Sequence, residues 1–577
     1  MQRLNPATPA FNRLSALLWK DLSPALTYGL ATLIAVVFVW HIYPLSSLAG
    51  HGKFFEEGDA SQHVAGWLFY VRDSWHFPLL HTERLNHPDG VSVAFTDSIP
   101  LAALFFKLFA RWLPPGFHYI GLWQAFAFLT QAIAAAFLIR ALGARNLMAV
   151  VSAVLFAITW PPLLFRGAAH IALMTHGIIL FSLAFYFLGR QGRWSANRTT
   201  IAFILINVIG LVVHPYFLAF CYALFIAFLA DQAMAGEGWK KQVPRLLASV
   251  AVICAIGFVL GYFGKRTQTS GFGVFSMNAF APFCASDLGG FYWCPFDGSG
   301  SQGEGFNYFG VGALLMLFFL IATQWDAIKG QFKRYPALTT TLALFVFYAL
   351  SNRVYVGPFK LLSYALPSFL DGLTGTFRVS GRFFWVVGYM ILFGMLTALL
   401  RKPSWRGLAI VAIALPLQWI DGQPLQNRLA NNAARPGSND VAPWASVASN
   451  VEKIHIYPAF GCQTTNDTEI YWFFQRVAAH YGKLLDTGYI ARPNVDCAKN
   501  KQEFEAAFQD RHLYVMSVDS LQNPAALPTG FTTALQAGNC VKWNNAVLCQ
   551  PHLPQDYWKT SGLGMEEVPD MTASKEK

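Results

Sequence analysis

Residues 26–48 read LTYGLATLIAVVFVWHIYPLSSL, with no Asp, Glu, Lys or Arg among them. A membrane span needs about 20 mostly apolar residues. The apolar core of a secretory leader is shorter, about 7–15 residues, and no small-residue cleavage site stands out here. The run therefore predicts a first transmembrane helix over 26–46. Ten more apolar runs lie near 118–139, 146–163, 170–189, 199–213, 215–232, 246–263, 308–324, 337–351, 381–400 and 407–421. A further run, 98–113, carries Lys107 in its middle and is read as an interfacial helix on the outer face.

The composition agrees. Hydrophobic residues make up 54% of the 577 and charged residues only 13%, against about 25% charged in soluble domains. The net charge of +11 does not imply nucleic acid, because no zinc-finger spacing, Walker A loop or Arg-rich tract accompanies it. The basic residues instead cluster between apolar runs, at Arg140–Arg145, Arg190–Arg198, Lys240–Arg245, Lys329–Arg334 and Arg401–Arg406. Basic loops stay on the cytoplasmic side. These clusters alternate with every second gap, and the N-terminal tail is basic too. The expected fold is an α-helical multi-pass membrane protein of about eleven transmembrane helices, N-terminus inside, with a C-terminal extracytoplasmic α/β domain. Its expected parts are a tail over 1–25, a membrane domain over 26–421 with a large first outer loop at 47–117, the α/β domain over 422–554, and a disordered end over 555–577. Pro215 splits 199–232, leaving either two short spans or a re-entrant pair.

Cys221 and Cys254 fall inside apolar runs and read as inert core thiols. Cys284, Cys294, Cys462, Cys497, Cys540 and Cys549 all fall in segments expected outside, where disulfides persist. Six cysteines allow 15 pairings; short loops favour Cys284–Cys294 and Cys540–Cys549, leaving Cys462–Cys497. In the last domain, Val451–Tyr457 and Leu513–Val518 alternate as strands, Glu469–Tyr481 reads as a helix, and Cys540–Cys549 reads as a hairpin around Asn544–Asn545.

The first outer loop opens Phe54-Phe55-Glu56-Glu57-Gly58-Asp59-Ala60-Ser61-Gln62-His63. Val64, Trp67, Leu68, Val71 and Trp75 follow at helical spacing, which predicts an amphipathic helix lying in the interface. Asp59 has two readings: a helix cap with Gln62 reaching back, or a base facing a cavity. Glu57 and His63 are candidate supports for it; a plain interfacial His is the alternative for His63. Asp97 or Ser98 reads as a cap for a helix begun by Pro100; alternatively Asp97 is a second carboxylate that orients an acceptor or holds a divalent metal. His170 and His176 are six apart, which is not the spacing of a helical zinc pair, and polar packing is the expected role. The loop 264–307, rich in Gly, Phe and Ser, is either a flexible loop or a lid over an aromatic cleft, with Glu304 as the carboxylate to test.

Four stretches carry a resemblance: Asp59–His63, Thr96–Leu101, Glu304–Gly310 and Phe377–Phe383. With the architecture of about the first 420 residues, they resemble an uncharacterised bacterial multi-pass family related to the GT-C superfamily of membrane glycosyltransferases. None is a strict catalytic signature. The resemblance implies an inner-membrane enzyme that transfers a sugar, with inversion, from a polyprenyl-phosphate donor to an envelope glycan or lipid on the extracytoplasmic face. It implies Asp59 as base. The leaving phosphate needs positive charge, which directs attention to Arg378 and Arg382, then to Lys265, Arg266 and Arg353; anchoring to headgroups is the alternative. Membrane lipids and the lipid-linked sugar are the expected partners. No cofactor is required by the residues, though a divalent metal fits. Two rival classes are a transporter or flippase of lipid-linked glycans, disfavoured by the scarcity of charge inside the spans, and a non-catalytic scaffold.

Overall fold

The computed structural model describes residues 18–263, 271–294, 297–463, 468–493, 495–551, 557–558 and 561–568. The chain divides into two compact units, one of residues 1–48, 121–256 and 268–434 and one of residues 49–120, 257–267 and 435–577.

The first unit is helical. Among the described residues, eight helices are long and apolar enough to cross a membrane, or ten if two bent pairs are each one span. The protein is thus an integral membrane protein. All eleven apolar runs fall on helices, but length and composition support eight to ten spans. Pro336–Leu350 has only 15 residues. Leu147–Ile158 and Pro161–Gly167 meet at 42°, and Trp405–Asp421 and Gln423–Ala434 at 44°; at the first break, paired prolines remove the amide donors a straight helix would use. The ambiguous 199–232 stretch forms two helices, Ala196–Val213 and Pro215–Gln232. They cross closely at Gly210, where a Cβ would lie 2.9 Å from the Leu218 amide nitrogen. Cys221 is buried as expected, but Cys254 is exposed; it sits with Val243, Leu247 and Val250 on an apolar face open to lipid rather than in a core.

The second unit is built on a six-stranded sheet. Its spatial order is Glu566–Glu567, Cys540–Trp543, Ala546–Cys549, His512–Ser517, Lys453–Tyr457, Leu484–Leu485. Lys453–Tyr457 pairs parallel with both of its neighbours, and the remaining pairs are antiparallel. Ile454 and Ile456 are buried while Lys453, His455 and Tyr457 are half-buried, the period-two alternation of a strand with one face on the core. The helix Glu469–Tyr481 ends at Gly482 in the left-handed conformation. The first loop belongs to this unit. It is stitched to the C-terminal segment by backbone bonds from Ala491 N to Phe95 O (2.8 Å), His87 N to Leu485 O (2.9 Å) and Leu485 N to Arg84 O (3.1 Å).

The three disulfides are Cys284–Cys294, Cys462–Cys497 and Cys540–Cys549. Cys462–Cys497 closes the longest loop, with a separation of 35 residues. Replacing both cysteines by Ser is expected to destabilise the second unit by about 3 kcal/mol. Thermal unfolding of the full chain in detergent, followed by tryptophan fluorescence, checks this; an unchanged midpoint refutes it.

Two expectations about the first loop need correction. The helix Gly58–Arg72 does not present an amphipathic face at the surface, because residues 60–70 are all buried. Its N-cap is Glu57, with no side-chain cap bond; Asp59 lies inside the first turn, and Gln62 donates to Phe95 O (3.0 Å) instead of reaching back. The next helix, Pro100–Lys107, starts at Ile99, not at Asp97 or Ser98. Its exposed Phe105, with Leu108 and Trp112 beyond, does form an apolar surface, while Lys107 turns inward to donate to Ser74 O.

Candidate functional site

The four stretches singled out in the sequence come together as two pairs, one in each unit. In the second unit, Asp59–His63 packs against Thr96–Leu101. A Cβ at Gly66 would lie 2.1 Å from Thr96 Oγ1, so only glycine lets the chains approach. Ser98 Oγ donates to His63 O (2.8 Å). The His63 ring is fully buried, and its Nδ1 bonds the Asp59 carbonyl. His63 and Asp97 bring potential metal-ligating atoms within 4.8 Å of each other. Asp97 sits in the left-handed conformation at the end of the turn Val93–Thr96. Burial, and then the Asp97 charge, raise the Tyr262 phenol well above its ordinary value.

The acidic triplet divides by environment. Glu57, expected to support an acceptor or metal, is engaged by Arg435 (2.9 Å) and Lys53 (3.6 Å). Glu56 accepts from Ser438 N and pairs with Arg476 (3.5 Å). Both tie the loop to the segment after 434. Asp59 Oδ1 accepts from the Tyr489 hydroxyl at 3.1 Å, a phenol that orients the carboxylate without neutralising it.

In the first unit, Glu304–Gly310 packs against Phe377–Phe383. A Cβ at Gly381 would lie 2.5 Å from Gly305 Cα, and Asn307 Nδ2 donates to Gly381 O (2.9 Å). The stretch is anchored from below by Asp421, which accepts from the Tyr308 hydroxyl (2.7 Å) and Val311 N (2.9 Å). These contacts set Glu304 between two arginines. Its Oε2 accepts from Arg166 Nη1 at 2.9 Å and Arg382 Nη2 at 2.6 Å, and Arg166 Nη2 also donates to the Glu304 carbonyl at 3.0 Å. Arg166 and Arg382 are buried, yet 28% of the Glu304 side chain stays exposed, so the cluster is reachable. Burial alone would raise the Glu304 carboxyl; the Arg166 and Arg382 guanidiniums outweigh it, and with His170 hold it well below the usual carboxylate range. Arg382 also lies over the Tyr216 ring, 4.9 Å from its centroid.

Arg378 lies over the Phe275 ring, 5.7 Å from its centroid. Arg353 is exposed at the start of a short hairpin. Lys265 and Arg266 fall outside the described residues. His176 is polar packing: its Nδ1 bonds the Tyr389 hydroxyl (2.9 Å), which accepts from Gln131 (2.9 Å). Two residues were missed by sequence reading. Arg166 ends a short helix inside an apolar stretch, and an arginine there is costly enough to demand a partner. Tyr489 offers no sequence signal, because only the packing of its loop brings it to Asp59.

A family model described as "Domain of unknown function (DUF6311)" matches residues 32–423, and a second, "DUF6311 C-terminal domain", matches residues 443–551. No curated protein matches the chain. A solved structure, the oligosaccharyltransferase of Archaeoglobus fulgidus in complex with Zn and sulfate, aligns over 90% of this chain and 72% of that one, at 12% identity and a TM-score of 0.37. That score is below the level at which two chains share a fold.

Proposed function

The chain belongs to the DUF6311 family, and we propose that it is an inverting membrane glycosyltransferase using a polyprenyl-phosphate-linked sugar. The acceptor is an envelope glycan or lipid outside the bacterial inner membrane. The observation that carries the reading is the pair of buried arginines, Arg166 and Arg382, converging on one oxygen of Glu304. A guanidinium fork matches phosphate oxygens, and a carboxylate shared between two forks fixes both before a ligand arrives, so little is spent on ordering them. Arg382, Arg166 and Arg378 hold the donor phosphate as negative charge builds on it. Asp59, oriented by Tyr489, takes the proton of the acceptor hydroxyl as that oxygen attacks the anomeric carbon. A base must reach the proton within about 3 Å in the working complex. Phosphate leaves without needing a proton donor.

Asp97 and His63 would hold a divalent metal; a mixed carboxylate–imidazole donor pair suits Mn²⁺ or Zn²⁺ better than Ca²⁺. Such an ion supplies charge neutralisation to a phosphate. Chelation is expected to lower transfer by about tenfold or more, with Mn²⁺ restoring it. In the double variant His63→Ala, Asp97→Ala, transfer should be low and no longer respond to chelator. Full activity in EDTA refutes the metal.

The whole reading is tested by mass spectrometry of surface glycans and lipids from a deletion strain, paired with sugar transfer by the purified chain. Loss of a defined sugar, restored by the gene, supports it; an unchanged glycan profile together with absent transfer refutes it.

A further inference from the structure

The second unit contains a cavity of about 620 Å³ that the reading above does not use. One wall is the tip of the hairpin His81–Thr82 and Val91–Ser92. That tip turns at Gly90, where a Cβ would meet the His81 ring at 2.4 Å, so the ring folds over the turn. The opposite wall comes from the sheet and from the helix Cys497–Glu503. Its floor is held rigid. His455 Nδ1 bonds Asp486 Oδ2 and its Nε2 bonds His512 Nδ1, both at 3.0 Å, and its ring stacks on Tyr514 with centroids 4.6 Å apart. Phe95 and Phe508 give the cavity its aromatic side; Tyr514 also lines it, but its two faces are covered by His455 and by Phe508, whose centroid lies 3.7 Å away.

Lys453 is half-buried at this cavity. Among the described residues its ammonium pairs with no carboxylate, and its one bond is a long one to His87 O, 3.4 Å. Three of the four acids lining the cavity have other partners: Asp486 is spent on His455 and on Ile456 N, Asp496 caps its helix through Ala498 N and Lys499 N, and Glu503 pairs with Lys499 at 4.0 Å; the fourth, Asp89, makes no ion pair with Lys453. Burial lowers the Lys453 ammonium, with Asp486 and Glu503 pushing back. A half-buried cation in no direct ion pair is improved by an anionic ligand. Aromatic faces with a polar rim suit a sugar ring, and the volume falls in the ligand-pocket range of about 300–1,000 Å³.

We propose that this cavity binds an acidic saccharide, with its carboxylate on Lys453 and its rings against the aromatic side. The saccharide half of the proposal rests on the transferase reading, in which this ligand is the acceptor class; the anionic half rests on Lys453.

The test is calorimetry on the full chain in detergent with trimers of glucuronate, mannuronate and galacturonate. Cellotriose is the neutral control and inorganic phosphate the bare anion. At least one oligouronate is expected to bind about tenfold or more tighter than both controls. Lys453→Met should erase that preference with an unchanged unfolding midpoint, and Lys453→Arg should keep it. No preference for uronates, or one that survives Lys453→Met, overturns the site. Phosphate binding as tightly as the trimers overturns the saccharide assignment. In the wild-type chain the two readings fail separately: binding without transfer sinks the transferase, and transfer without uronate binding sinks the acidic acceptor.

Discussion

Asp59→Asn is expected to cut sugar transfer by about 10²–10⁴-fold while the protein accumulates in the membrane at its normal level. The two halves of this expectation have separate grounds. Asn is isosteric and still accepts the Tyr489 hydroxyl, and the Asp59 side chain caps no helix, since Glu57 holds that position without a side-chain bond. Little stability is therefore at stake. What Asn lacks is a basic oxygen, and only the chemical step needs that. Tyr489→Phe removes the orienting hydroxyl but leaves the base, so it should cost far less, about tenfold, and should change the pH profile of transfer rather than abolish it. The measurement is transfer per unit of membrane-embedded protein. A loss of abundance equal to the loss of transfer would make Asp59 structural, and undiminished transfer would remove it from the reaction.

The second large effect is on stability. Glu304→Gln leaves Arg166 and Arg382 facing each other around an uncharged amide. Removing one partner from a buried charge cluster costs about 3–5 kcal/mol, and two like charges remain behind. Wild-type stability from Glu304 has a definite pH window. Its folded-state carboxyl lies below its ordinary value, so the contribution is complete above the unfolded value of about 4.3. It is lost only as pH falls through the folded one. The unfolding midpoint of wild type should therefore be insensitive to Glu304 between about pH 5 and 8, and the variant should unfold earlier throughout that range. A variant as stable as wild type at pH 7 would show that the arginines are solvated and not held by Glu304.

Local pattern made much of this fold readable. The helix Glu469–Tyr481 ends where Gly482 supplies a left-handed residue, and the hairpin turns at Asn544–Asn545 because Asn tolerates that region too. The disulfides followed from loop length. What could not be read was anything decided by a distant neighbour. Gln62 looks like the second half of a capping box, but the carbonyl of Phe95 competes for it and wins. Val64, Trp67 and Leu68 have a surface helix's spacing, yet the polar Ser61, Gln62 and His63 just before them are buried as well. The span count is less sharply set, because paired prolines bend one run at 42° and Pro336–Leu350 is short. In the candidate site, Glu304 and Arg382 were each legible as unusual outer charges, but their pairing with Arg166 depends on two glycines, Gly305 and Gly381, meeting across 76 residues of chain.

The stitching of the first loop to the C-terminal segment has a consequence for timing. Asp59 and Tyr489 are separated by 430 residues. At roughly 5–20 residues per second, the loop emerges roughly 20–90 s before the partners that cover it. During that interval Trp67 and Tyr70 can already pack on neighbours close in sequence, Tyr119 and Trp75, but the carboxylates of Glu56 and Asp59 wait for Arg476 and Tyr489, so the loop reaches its final form only when the C-terminal segment arrives.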